Sequence, residues 1–384
     1  MKKFFALVMA AMMVVAMFAG CGGSGSASGN SDGVIKIGTS GPLTGDYAVY
    51  GKAVEYGLKL AFEEINALGG LQFEVNAQDD EGDGEKAVNA YNSLMDWGMQ
   101  IMAGTVTSGA CLSVAPECVA DRVFLLTPSA TDAKVLDAGD NTFQICFSDP
   151  NQGIASADYI ADHDLATAVG VIYDSSSPYS AGIFEKFKAR AGELGLNIAC
   201  EAPFTADSAD DLSTQVAKCK EAGCDLLFLP IYTAEAARVL TCADTIGYEP
   251  LYFGCDGLDG ILGVENFDTS LAEGVLLLTP FDASSSDPKT QAFVKNYTEK
   301  WGIAPNQFAA DAYDVAYAIY EACKASGVTA DMSAEEVCEL MIAWFTSNSF
   351  DGITGEGMTW GTDGAVSKYP MAVKIENGVY VGAE

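Results

Sequence analysis

One histidine, His163, stands among 53 acidic residues and eleven cysteines in 384 positions, and that inventory limits the chemistry open to the chain. A Ser-His-Asp arrangement would have to use His163, and no G-x-S-x-G turn presents a serine to it. Gly45 to Lys52 reads like a phosphate-cradling loop, but five residues separate Gly45 from Gly51, and Ala53 stands where a hydroxyl must hold magnesium. Asp79-Asp80-Glu81-Gly82-Asp83-Gly84 opens like a calcium loop. Its twelfth position is Ala90, so the bidentate carboxylate is missing and a solvated acidic turn is expected. No CxxC pair occurs and a lone histidine cannot complete a zinc site. No strand is followed by G-x-G-x-x-G, which removes dinucleotides. No catalytic residue, metal or cofactor is expected, and a formal charge of −33 repels nucleic acid.

The elements that would position any site alternate from Val34 onward. Val34 to Ile37 reads as a strand, and Gly51 to Ala67 places Val54, Leu58, Ala61, Phe62 and Ile65 on one helical face. Gly69-Gly70 closes that helix. Strands at Leu71–Ala77, Ile101–Ala103 and Val123–Leu126 follow, with helices at Glu85–Trp97 and Gly109–Ala120. A second series begins after Pro150, with strands at Ala168–Tyr173, from Asn197, at Leu226–Leu229 and at Leu251–Gly254. Such alternation predicts an α/β protein with two parallel sheets. The last hundred or so residues change class, to three helices and a tail of short strands with turns at Thr362-Asp363-Gly364 and Asn377-Gly378, so they are expected to cross back between the lobes.

Lys2 and Lys3 precede an apolar run from Phe4 to Phe18 that is too short to span a bilayer, and small residues follow it. This is an export signal, and Phe18-Ala19-Gly20-Cys21 resembles a bacterial lipobox, with Phe18 where leucine is usual. Cys21 is therefore expected to carry lipid, holding the protein on the outer side of the cell membrane or in the periplasm through that anchor alone. Gly22 to Gly33 is a Gly/Ser/Asn tether. Most of the other ten cysteines, scattered from Cys111 to Cys338, read as small buried hydrophobes.

Ile35 to Gly51, I-K-I-G-T-S-G-P-L-T-G-D-Y-A-V-Y-G, resembles the opening of the branched-chain amino-acid-type periplasmic binding proteins, the Leu/Ile/Val-binding kind. Leu60 to Gly70, Gly104 to Ser108, Thr127 to Thr131 and Phe350 to Gly355 are similar to further segments of that family, in the same order. The resemblance covers the whole chain after the tether. It implies the type I fold: two Rossmann-like lobes with parallel sheets, joined by three hinge crossings, with solute between them. The expected division is a signal peptide at 1–20, a tether at 21–33, a first lobe of 34–147 with 281–349, and a second of 148–280 with 350–384.

An α-amino acid is a zwitterion, so its site must offer donors at one end and an anion at the other. The resemblance assigns the carboxylate to Ser108 and the helix start behind it, with Ser129 and Thr131 of the Thr-Pro-Ser-Ala-Thr turn; Ser108 can equally be a plain helix cap. It assigns the ammonium to Asp256, where family members often have glutamate, and Thr131 can accept from the same group. Alone, Asp256 reads as a turn aspartate capping a helix. Tyr179 and Tyr232 match ligand-facing tyrosines or pack at the hinge, and Tyr47 and Tyr50 would flank the ligand side chain, favouring a neutral branched-chain or aromatic amino acid. The implied role is a monomeric, non-enzymatic binding component that closes on its solute and docks on ABC permease subunits. A sensor module for a membrane receptor is the alternative, as is a binder of an amide or small organic acid.

Overall fold

The computed structural model describes residues 33–383. The export signal at 1–20, Cys21 and all of the tether but Gly33 lie outside the described residues. The first sheet contains β1 (Ile35–Gly41), β2 (Phe73–Asp79), β3 (Ile101–Met102), β4 (Phe124–Thr127) and β5 (Thr142–Gln144), all parallel, in the order β2-β1-β3-β4-β5. Its middle strands β3 and β4 are buried along their whole length, and β1 is buried except at Lys36, because helices cover both faces. Those helices include α1 (Ala48–Ala67), α2 (Gly84–Trp97) and α3 (Ser108–Ala120). β1 runs to Gly41 and α1 starts at Ala48, so the loop between them is shorter than the expected Thr39 to Tyr50.

The second lobe repeats the plan. After α4 (Asp149–Asp162) come β6 (Val169–Asp174), α5 (Pro178–Leu194), β7 (Ile198–Phe204), α6 (Ser213–Glu221), β8 (Leu226–Leu229), α7 (Thr233–Thr245), β9 (Leu251–Gly254) and β10 (Leu276–Thr279). The parallel strands again run β7-β6-β8-β9-β10, so each sheet reverses direction beside its own first strand. In open α/β sheets, ligands bind at the carboxyl ends of strands at that reversal.

The chain then returns to the first lobe through α8 (Pro288–Trp301), α9 (Gln307–Ser326) and α10 (Ala334–Phe345), whose Phe293, Val315, Ile319 and Phe345 join the core around Phe62 and Phe124. Gly57 makes the α1–α9 contact possible: a Cβ there would lie 2.3 Å from the Ala309 carbonyl oxygen. The first-lobe share of the tail is longer than the expected end at 349. The small hairpin β11 (Ser349–Phe350) and β12 (Met358–Thr359) buries Phe350, Met358 and nearby Trp360 in the first-lobe core. The Trp360 ring nitrogen donates to the Gln144 carbonyl at 2.7 Å. The buried Lys368 ammonium meets Asp311 and Thr354, each at 2.6 Å. Asp314 accepts from the backbone of Ile353 and Thr354 at 2.9 Å each, so the Phe350–Gly355 motif docks the hairpin on α9. Only then does the chain enter β13 (Met371–Glu376) and β14 (Val379–Gly382), an antiparallel extension of the second sheet. Asn377 and Gly378, with φ of 54° and 73°, form their two-residue turn.

The lobes are thus linked three times, at 145–148, at Pro280 and near 369–370. Ten cysteines are free thiols among the described residues, and all but Cys200 and Cys242 are buried.

Candidate functional site

Every residue expected to touch solute follows a carboxyl end of a strand. Tyr47 and Tyr50 follow β1, Ser108 follows β3, and Ser129 and Thr131 follow β4. In the second lobe Tyr179 follows β6, Tyr232 follows β8 and Asp256 follows β9. The acidic run after β2 serves structure instead. Asp79 accepts from Leu43 N at 2.8 Å and Thr44 Oγ1 at 2.5 Å, and Asp83 caps α2. Asp80 is buried rather than solvated, and burial pushes its carboxyl up to about 6.

At the first-lobe end, Ser108 is the first residue of α3 and Thr107 is its cap. The Ser108 hydroxyl accepts from the backbone N–H groups of Thr131 at 3.1 Å and Asp132 at 3.2 Å. Its own proton is left to donate, beside the open N–H groups of the helix start. The buried hydroxyls of Thr105, Thr107 and Thr131 make no hydrogen bond of ordinary geometry among the described residues. Ser129 does not join this set: its hydroxyl donates to Val106 O at 2.8 Å and its N–H to Thr127 Oγ1 at 3.3 Å, so both hold the turn together.

Across the cleft, Asp256 is buried and its Oδ1 accepts from the Tyr179 hydroxyl at 2.7 Å. The same hydroxyl accepts from Gly257 N at 2.9 Å, which orients it. Burial pushes the Asp256 carboxyl up to about 6, against the stabilising bond from Tyr179. A second carboxylate, absent from the sequence expectations, lies beside it. Asp149 opens α4 at the first crossing, is buried, and has no hydrogen bond of ordinary geometry to either oxygen. Burial holds its carboxyl well above the usual range; the nearby Thr131 hydroxyl opposes this, and the Asp256 charge adds to it. In sequence, Ser148-Asp149-Pro150 is an ordinary helix start, and only the packing of α4 within the second lobe sets it near Asp256.

Four tyrosines close the space between. Tyr232 stacks on Tyr179 at 4.7 Å and 6°, with Tyr47 at 5.0 Å and Tyr50 at 5.3 Å on its other sides. Tyr50 is more than a wall. Its hydroxyl donates to Gly257 O at 2.6 Å and accepts from Thr233 N at 2.7 Å, both in the opposite lobe. Tyr47 donates to Glu235 at 2.8 Å, Arg238 pairs with Asp46 at 2.6 Å, and Gln307 binds Asp256 O at 2.8 Å and Asp259 at 2.7 Å. These contacts hold the lobes closed. A groove of about 1410 Å³ runs beside the site, lined by Val49, Tyr56, Arg238 and Trp301; Ser108, Thr131, Asp149 and Asp256 do not line it.

Among the described residues no cluster of side chains could hold a metal, and no helix is long and apolar enough to cross a membrane. The periplasmic binding protein family model matches residues 34–378. Leu/Ile/Val-binding protein homolog 3 of Brucella melitensis biotype 1 is 29% identical over 78% of this chain and 81% of its own. The branched-chain amino acid transporter substrate-binding protein LivJ of Streptococcus pneumoniae, solved with isoleucine, superposes with a TM-score of 0.81 at 26% identity, over 91% of this chain and 99% of that one. A solute-binding protein of Rhodopseudomonas palustris solved with 3,4-dihydroxybenzoic acid shares the fold, with a TM-score of 0.81 at 20% identity over 91% and 96%.

Proposed function

Because the chain belongs to the periplasmic binding protein family, we propose that it is the solute-binding component of an ABC importer and takes an α-amino acid with a neutral, apolar side chain. One observation carries this reading. Two buried carboxylates, Asp149 and Asp256, lie together with no cationic side chain hydrogen-bonded to either, opposite the start of α3, where Ser108 and free N–H groups await an anion. A zwitterion meets both demands: its ammonium lies between Asp149, Asp256 and Thr131, and its carboxylate caps α3. The rings of Tyr47 and Tyr232 then flank the side chain.

The solute first meets Ser108 and Thr131 on the first lobe. Asp256 and Tyr179 on the second lobe bind it only on closure, so the ligand shifts the population toward the closed form. Tyr50, Tyr47 and Arg238 add contacts made only in that form. No bond is made or broken. The monomeric closed protein, held to the membrane by a lipid on Cys21, delivers its load to permease subunits.

The dihydroxybenzoate complex of the Rhodopseudomonas relative gives a second reading, an aromatic acid. Two buried carboxylates disfavour it, because an anionic ligand would add to their repulsion. Calorimetry with leucine, isoleucine, valine, phenylalanine and benzoate decides. Binding of at least one of these amino acids and not benzoate is expected. Benzoate binding without amino-acid binding overturns the assignment.

A further inference from the structure

Three of the ten described cysteines, all away from the residues of the cleft described above, converge in the second lobe. We propose that Cys200, Cys219 and Cys224 form a thiol cluster in which Cys200 and Cys219 join as a disulfide when the protein meets a small disulfide oxidant.

Three independent features build the cluster. Cys219 lies in the last turn of α6, which ends with Gly223 in the left-handed region at φ 71°. Cys224 N donates to Cys219 O at 3.1 Å and Gly223 N to Lys220 O at 3.0 Å. This pair of bonds is the glycine-closed helix ending that brings its two outer residues side by side, here both cysteines. Beneath them lies Gly170 of β6. A Cβ at Gly170 would be 3.0 Å from the Cys219 sulfur and 3.0 Å from the Cys224 sulfur, so glycine is what leaves room for both. Finally, Cys200 on β7 is the register partner of Gly170 and packs against the same apolar cluster as the other two. Its sulfur lies close enough to Cys219 to disfavour the thiolate there.

The three thiols differ in access, and that sets the order of events. Cys219 and Cys224 are buried, and burial pushes both thiols up, Cys224 to about 11. Cys200 is half-buried on β7, the edge strand of its sheet. The Cys200 thiolate attacks one sulfur of the oxidant, and the first reduced thiol leaves with the electron pair and takes up a proton. Cys219 then gives its proton to water, attacks the Cys200 sulfur and expels the second reduced thiol. Two protein thiols are oxidised and one external disulfide is reduced to two thiols. The new bond ties α6 to the edge strand, and Cys224 remains a thiol.

The test uses the purified, reduced protein incubated with oxidised glutathione, then denatured, alkylated and mapped as peptides without reduction. The expected product links the Cys200 peptide to the Cys219 peptide, with two alkylatable thiols lost per molecule and restored by dithiothreitol. Cys200→Ser should abolish the link and Cys224→Ser should leave it intact, with circular dichroism establishing that both variants fold. A glutathione adduct that stops at Cys200, a Cys219–Cys224 link, or full alkylation of all three would each overturn the proposal.

Discussion

Replacing Asp256 by asparagine separates what its carboxylate does for the ligand from what it costs the ligand-free protein. The side chain is 5% exposed, and burial raises it from its ordinary value of 3.8 to about 6. For an acid raised in the folded state, the cost is absent below pH 3.8 and grows to its full size above pH 6. A shift of about two units corresponds to about 3 kcal/mol of lost stability at pH 7.5. Asparagine keeps the Tyr179 bond, since its Oδ1 can still accept at 2.7 Å, and removes the charge. The ligand-free variant should therefore melt a few degrees higher than the parent at pH 7.5, with the gap closing towards pH 4. Binding should move the other way, because removing one partner of a buried charge pair costs about 2–5 kcal/mol, roughly 30- to 5,000-fold in affinity. Thermal melts across pH and calorimetry with leucine measure both effects. A variant that melts lower than the parent at pH 7.5, or one that binds leucine as tightly, would refute the reasoning.

Tyr50→Phe removes the interlobe hydrogen bonds to Gly257 and Thr233 and strands the Thr233 N–H in the closed form, at about 1–3 kcal/mol. Leucine affinity should fall by at least about fivefold, and small-angle scattering should show compaction shifting to higher ligand concentration; parent-like compaction would count against the latch. The affinity of the parent should weaken by about tenfold per pH unit below about 6, because a cationic group needs Asp256 ionised and protonation competes with it. A flat calorimetric profile from pH 7.5 to 5 would remove Asp256 from the ammonium site. Lys368→Met leaves Asp311 buried without its countercharge and should lower stability by about 3–5 kcal/mol in urea unfolding. Adding Asp311→Asn should recover much of that loss, and no recovery would mean that packing rather than charge is responsible.

The alternation of short apolar runs and helical faces is legible in the amino-acid sequence, because strand and helix periods are local properties of the chain. So is the place of Ser108, Thr131 and Asp256, each following a strand. Their partners are not legible. Ser129 fits the same turn motif, but its hydroxyl faces Val106 and closes the loop. Tyr50 reads as an aromatic wall, but its hydroxyl bridges to Thr233 and Gly257, 183 and 207 positions away along the chain. The tail was misplaced for a related reason. Two-residue strands such as Ser349–Phe350 carry no period, and only tertiary contacts such as Trp360 with Gln144 and Asp314 with Ile353 and Thr354 assign that hairpin to the first lobe.

What the sequence by itself determined is therefore the α/β class and the two repeated strand-and-helix series. These follow from residue type and spacing within short windows. What only the tertiary structure decided is the electrostatic character of the cleft. Asp149 is an ordinary helix-start aspartate until tertiary packing removes water from it and sets the Asp256 charge near it, because burial and charge proximity belong to the assembled fold and to no single segment of the chain.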